Sequence, residues 1–295
     1  MKSWKRNVES YLFLSPYLVL FTVFFVAPVL IAIFLSFTSF NVLQPPRWIG
    51  FANYVNLFLN DNVFLIAVAN TLLYAVIVGP IGFLLSFMFA WLIDSVGHRA
   101  MVGYTLLFYA PSISGIGMAF TWLLIFSGDR YGILNNLLIR LGALNEPFLW
   151  LSDSRSIMPV IIVVALWMGM GKGFLAQIAG FQSMPPELYE AGRVDGVPSR
   201  WHELWYITLP LMKPYILVAA VLQVVESFAV FDIANTLVPF PSPLYAAHTI
   251  VTHLWDFAFL RFEMGYSSAI AVILFIATFG LNRGLVRLLG TRGEY

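Results

Sequence analysis

Cysteine is absent from this chain of 295 residues. Its absence excludes a disulfide framework, a thiolate metal site and a cysteine nucleophile. Charge is also scarce: Asp, Glu, Lys and Arg together make up 11% of the residues, against roughly a quarter in ordinary soluble domains. A net charge of +1 gives no footing for nucleic acid. There is no G-x-x-x-x-G-K-[ST] loop. Gly171-Lys172-Gly173 lacks the spacing, so the chain cannot hold ATP in the P-loop manner. His202-Glu203 has no second histidine at the distance a zinc protease needs, and His98, His202, His248 and His253 form no metal pattern. His248 and His253 read as polar surface in a loop. With no nucleophile or metal constellation, the chain is read as a non-enzyme that binds no cofactor itself.

What is present is apolar. Hydrophobic residues account for 60% of the sequence. A membrane-spanning helix needs about 20 mostly apolar residues, and six stretches provide them: 11–37, 66–93, 102–127, 157–182, 213–236 and 266–289. In lipid only helices and closed barrels satisfy every backbone group, and uninterrupted apolar runs of this length are helical. The expected class is an all-α membrane protein with six transmembrane helices in the lipid bilayer. Residues 1–10 form a short polar N-terminus, and 11–295 a single membrane domain. The first run is far longer than the roughly 7–15 apolar residues of a secretory signal, so it is read as a retained span.

Lys and Arg outside the spans set the orientation. Lys2, Lys5, Arg6, Arg99, Arg193, Arg200, Lys213, Arg283, Arg287 and Arg292 fall on one side, and Arg47, Arg130, Arg140, Arg155 and Arg261 on the other. The richer side is expected to be cytoplasmic, with both termini, in the cell membrane. The opposite loops, 38–65, 128–156 and 237–265, carry Trp48, Phe51, Tyr54, Trp150, Trp255, Phe257 and Phe259, which fit an interfacial belt or a docking surface for an external partner.

One polar island interrupts this pattern, from Ser183 to Pro214, on the cytoplasmic side. Ser183 can cap a helix, and Pro185 and Pro186 suit a first turn, where the missing N–H would have no partner anyway. Glu187 and Glu190 then meet the positive end of the helix dipole. Gly196 is a natural left-handed terminator and Pro198 cannot continue the helix. Ser199 can cap a second short helix, which Pro210 and Pro214 break before the fifth span. The predicted shape is helix, glycine turn, helix, a form suited to a partner's groove.

The string Glu190-Ala191-Gly192, Asp195-Gly196 and Ile207-Thr208-Leu209-Pro210 resembles the "EAA" coupling loop of permease subunits in ATP-binding-cassette (ABC) importers. The maltose-type and glycerol-3-phosphate-type carbohydrate permeases are the most similar. Ser15-Pro16, Pro28, Phe51-Ala52-Asn53-Tyr54, Asn70-Thr71, Phe181-Gln182-Ser183-Met184-Pro185, Ser227-Phe228, Phe231-Asp232 and Gly265-Tyr266-Ser267-Ser268-Ala269 extend the resemblance over nearly the whole chain. It implies a type I importer permease fold that moves a carbohydrate or related polyol. The implied partners are a second permease, two ATPase subunits that hold ATP and Mg²⁺, and an external solute-binding protein. The loop 183–212 is then the coupling element, with Glu190, Ala191, Gly192, Asp195 and Gly196 as its coupling residues. Two departures stand out. Gly192 replaces the usual alanine, at a cost of about 1 kcal/mol in a helix interior. Ten residues separate Gly196 from Ile207 where the family usually has nine, which bears on the rotation of the second helix.

Ionisable residues inside spans are expensive and usually functional. Lys172, Gln223, Glu226, Asp232 and Asn235 are the candidates for a substrate path, since sugar hydroxyls need donors and acceptors. Gln223, Glu226 and Val230 share a helical face by period, and Lys172 with Glu226 is the cheapest charge pair. The alternative is a secondary transporter driven by an ion gradient, with Lys172, Glu226 and Asp232 as its relay. That class usually shows two related halves, which the sequence lacks.

Overall fold

The computed structural model describes residues 2–289, with side chains for 11–115 and 117–288. Among them, five helical stretches are long and apolar enough to cross a membrane: Tyr11–Ser36, Asn62–Asp94, Ser154–Gln182, Lys213–Leu237 and Met264–Leu288. The expected third span is instead a pair, His98–Ser114 and Gly117–Ile125, bent by 91°. Counted as one span, the pair brings the total to six. The bend falls at Gly115, where φ is +52°, a region that glycine enters without the steric cost of a Cβ.

The chain divides into two compact units, one holding the residues up to Leu65 with His253–Phe275, the other Ile66–Thr252 and the chain from Ile276 onward. In the first unit, the first span continues a helix that starts at Lys2 and is exposed along its apolar length. After it, Thr38–Ser39 pairs antiparallel with Arg47–Trp48. The Asn53 amide donates to the Ser36 and Thr38 carbonyls at 2.8 and 3.0 Å, and the Tyr54 hydroxyl to Ser36 Oγ at 2.7 Å. Gly265 N–H donates to the Phe40 carbonyl at 3.0 Å. A Cβ at Gly265 would collide with the Thr38 carbonyl, so only glycine fits there.

Asp61 anchors the same unit. Its Oδ1 takes the Phe64 N–H at 2.9 Å at the start of the second span. Its Oδ2 takes the Tyr266 hydroxyl at 2.8 Å and faces His253 Nε2 at 3.1 Å. Burial opposes the Asp61 charge, but the Phe64 N–H, the Tyr266 hydroxyl and His253 together hold its carboxyl below the usual range. Burial pushes the His253 imidazole down despite its acidic neighbour. The expectation that His248 and His253 are surface residues is therefore corrected: each is 1% exposed, His248 in the second unit against the rings of Phe240 and Tyr245. Phe257 is likewise buried, its ring tilted against that of Tyr266 at 4.5 Å, so it is not an exposed anchor.

In the second unit a core of Tyr74, Val78, Ile157, Ile161, Val164 and Leu237 joins the second, fourth and fifth spans. The Asn70 amide donates to the Tyr245 and His248 carbonyls, both at 2.9 Å, and Thr71 Oγ1 accepts from Ile250 N–H at 2.9 Å. Fully buried Asn135 organises the 128–156 segment. Its amide nitrogen donates to the carbonyls of Ser127, Asp129 and Phe148, and its oxygen accepts from Phe148 N–H and Trp150 Nε1.

Candidate functional site

Two places in the second unit concentrate polar groups. The first is the island. Its first helix, Pro186–Val194, starts after Pro185 and ends at Asp195. Gly196 then turns the chain at φ +85°. Val197 N–H returns to the Gly192 carbonyl at 2.9 Å and Gly196 N–H to the Arg193 carbonyl at 3.2 Å, satisfying carbonyls the helix end would leave open. Ser183 does not cap this helix as expected. It closes the preceding one, its hydroxyl donating to the Gly180 carbonyl at 2.8 Å.

The second helix begins at Arg200 and changes to a π-helical turn at Leu204–Thr208. It runs through Pro210 to Leu211 and turns at Met212. Pro210 therefore does not break it. The Pro214 ring sits in the first turn of the next helix, where proline is tolerated. Tyr189 Oη lies 3.1 Å from Thr208 Oγ1, and Arg193 Nε is 3.2 Å from Glu203 Oε1, bridging the two helices. Burial pushes the Tyr189 phenol up.

Glu190, Ala191, Asp195 and Gly196 are exposed, while Gly192 is buried. A Cβ at Gly192 would lie 2.6 Å from Ile207 Cδ1. The departure from alanine thus makes room for Ile207 on the π turn. A π turn also holds one residue more than the α turn it replaces, and Ile207 lies within it.

The second place is a cavity of about 340 Å³ in the middle of the spans. The fourth span is interrupted between Met168 and Lys172. Three glycines in five residues, Gly169, Gly171 and Gly173, mark the spot. The Ser112 hydroxyl points at both freed carbonyls, Met168 at 2.9 Å and Met170 at 2.8 Å. Glu226 takes the Lys172 backbone N–H, and its carboxylate presses on Gly171, where a Cβ would lie 3.1 Å from Oε2. The expected charge pair is thus first a carboxylate on a helix N-terminus, an arrangement the dipole favours.

Lys172, Gln223, Glu226 and Asp232 all line this cavity, and Gln223 Nε2 donates to the Val78 carbonyl at 3.3 Å. Asn235 is not among its walls. Val230 does not share a helical face with Gln223 and Glu226, because the helix ends at Phe228 and resumes at Asp232. The Val230 carbonyl is taken by Thr249 Oγ1 at 2.8 Å. Sequence reasoning missed Tyr74, Tyr109 and Ser112, which complete the polar wall. Ser112 follows Pro111 in a span, a signal that was available.

No family model matches the chain. Full-length relatives do. The protein "Probable ABC transporter permease protein YurN" of Bacillus subtilis (strain 168) is 33% identical over 286 residues, 94% of this chain and 94% of that protein. The chain belongs to the ABC transporter permeases. Also similar are "Probable ABC transporter permease protein YesP" of the same organism, 30% identical over 92% of this chain and 87% of that protein, and "Lactose transport system permease protein LacF" of Rhizobium radiobacter, 28% identical over 90% and 88%. A solved bacterial ABC transporter for the import of alginate shares the fold, with a TM-score of 0.80 at 24% identity over 99% of both chains. A second structure of such a transporter, in complex with a periplasmic protein bound to an alginate pentasaccharide, gives 0.80 at 23% over 98% of both. The permease is thus a multi-pass membrane protein and a transport subunit.

Proposed function

We propose that this permease carries a carbohydrate or related polyol into the cell, driven by ATP hydrolysis on separate ATPase subunits. Support for the substrate class comes from relatives named for lactose, arabinooligosaccharides and sulfoquinovosyl glycerol. The observation that carries the reading is the island itself. Glu190, Ala191, Asp195 and Gly196 are presented outward by a helix–turn–helix whose two ends continue into the interrupted fourth and fifth spans.

In this reading the island faces the cytoplasm, and the Pro186–Val194 helix seats in a cleft of an ATPase that binds ATP and Mg²⁺. Gly192 shapes the loop from within. Closure of two ATPases pulls on the fourth and fifth spans at the glycine break and opens or closes the cavity. A second permease completes the pathway, because Lys172 and Asp232 are exposed in the single chain, and an external solute-binding protein delivers the substrate. Gln223, Glu226 and Asp232 offer acceptors and an amide to sugar hydroxyls, with Tyr74 and Tyr109 able to cover ring faces. Asn235 is left in the path only as a residue near its end.

The test is purification of the permease with its partners and reconstitution into vesicles. An ATPase should co-purify, and uptake should need ATP. Uptake by this chain alone on an ion gradient would instead favour a Lys172–Glu226–Asp232 relay. Alanine variants of Gln223, Glu226 and Asp232 should raise the substrate concentration needed for half-maximal uptake. Unchanged transport in all three would remove them from the path.

A further inference from the structure

The island is joined by the chain to the fourth and fifth spans, but a further joint reaches the second. Arg200 opens the island's second helix, and Trp91 lies in the last turn of the helix Asn62–Asp94. Arg200 Nη2 donates to the Trp91 carbonyl at 3.2 Å, and its guanidinium carbon sits 5.0 Å from the centre of the Trp91 ring. The neighbouring Trp201 ring lies 5.0 Å from the same ring. The helix end explains why that carbonyl is open. Ser95 N–H turns back to the Leu92 carbonyl and Val96 N–H to the Ile93 carbonyl, leaving Trp91 with one of the free acceptors every helix C-terminus carries. A cation is also favoured there by the dipole, and a planar guanidinium can donate to the carbonyl while lying on the ring. Beneath the joint is a cavity of about 610 Å³ lined by Trp91, Asp94, Tyr189, Glu190 and Arg200, so the first helix of the island stands off from the span end at this point.

Resting on the coupling role proposed above, we infer that Arg200 and Trp201 are positioning residues that grip the end of the second span. Motion entering at Glu190–Gly196 then reaches three spans. The fourth and fifth move by covalent connection. The second, whose Tyr74 lines the mid-span cavity, follows through the Arg200–Trp91 contact. The two anchorages differ in kind: a chain connection cannot be lost by substitution, whereas the joint can.

The experiment uses the assembled complex in vesicles and reads solute taken up per ATP hydrolysed. Trp91→Leu removes both ring contacts from the span side and leaves the island's own sequence unchanged. ATP hydrolysis should continue while uptake per ATP falls about fivefold or more, the usual lower range for coupling between sites. Arg200→Ala should give a similar fall and Arg200→Lys a smaller one, since lysine keeps the charge but not the planar stack. The double variant Trp91→Leu/Arg200→Ala should be no worse than Arg200→Ala, as expected for two residues acting through one contact. Additive losses, or unchanged uptake per ATP in Trp91→Leu, would overturn the joint. Should Arg200→Ala lose the ATPase, Trp91→Leu decides alone. A wild-type complex whose uptake ignores ATP would overturn the coupling role instead, a result separable from failure of the joint.

Discussion

The island and the mid-span cavity solve opposite problems with similar residues. In the island, Glu190 and Asp195 are exposed, and the backbone is closed by bonds between near neighbours, such as Val197 N–H to the Gly192 carbonyl. In the cavity, polar groups are turned inward and are held from far away in sequence: Ser112 by carbonyls 56 and 58 residues on, Gln223 by one 145 residues back. Water can satisfy the first region. The second lies at membrane depth, where an unpaired group costs several kcal/mol, so each freed carbonyl needs an assigned partner. Changes in the island should therefore alter function with modest effects on stability, whereas changes at the cavity's backbone-holding groups should cost stability as well.

The largest effect is expected from Gly196→Val. At φ +85° a β-branched residue is a genuine outlier, and the left-handed conformation costs roughly 1–2 kcal/mol for an L-residue. Uptake by the assembled complex should fall by about tenfold or more at unchanged expression, read as initial rates in vesicles. Normal coupling in this variant would remove Gly196 from the coupling element. Ser112→Ala tests the other side. It strips the donor from the Met168 and Met170 carbonyls and should lower unfolding stability by about 1–3 kcal/mol, seen as an earlier melt in detergent. A melt like wild type would mean that the break is held by something other than Ser112.

Gly192→Ala should do little alone, because about 1 kcal/mol of helix propensity is offset by displacing Ile207 Cδ1. In an Ile207→Val background, where that carbon is gone, the same change should become stabilising by about 0.5–1 kcal/mol. Destabilisation in both backgrounds would mean that Ile207 is not what Gly192 accommodates. The smallest effect is a pH dependence in neither region, at His253, and so calibrates both. Its folded pKa lies below the ordinary 6.5, so on acidification the unfolded chain takes the proton first. Stability is then unaffected above about 6.5 and declines as pH falls below it. Asp61, also depressed, adds a loss only below its unfolded value of 3.8. His253→Gln should flatten the melt between pH 7 and 5, and an equally steep profile would place the titrating group elsewhere.

The island was legible because its signals are local. Proline, the Glu190-Ala191 pair and Gly196 each act within one turn of themselves, and the family resemblance rested on the same residues. Its inner half was less so: Ser183 closes the wrong helix for the expectation, and the chain runs through Pro210, because tertiary packing at Met212, which is fully buried, sets the turn. Span positions followed from apolar length alone, but their interruptions did not. Hydropathy cannot see the bend at Gly115 or the gap at 229–231, since an apolar residue looks the same on a straight helix as on a broken one. The buried histidines were misread for a related reason. A His is polar by composition, and the neighbours that accompany its burial lie elsewhere in the sequence: Asp61 for His253, almost two hundred positions earlier, and the Phe240 ring for His248. Asn53, Asn70, Thr71 and Gly265 were noted only as points of resemblance, and the structure gives each a reason: all four stitch a span end to the backbone of a distant loop.

The π turn at Leu204–Thr208 has a consequence for how such a loop varies. One residue added to a regular α-helix rotates everything after it by about 100° and advances it about 1.5 Å. Here that would swing Met212 out of its buried seat and re-aim the fifth span with Glu226 on it. Confining the surplus to a single wide turn keeps the downstream helix in phase, so loop length and the bearing of the pathway wall become independent quantities. A permease built this way can change the length of this loop by one residue without re-aiming the cavity wall that Gln223 and Glu226 form.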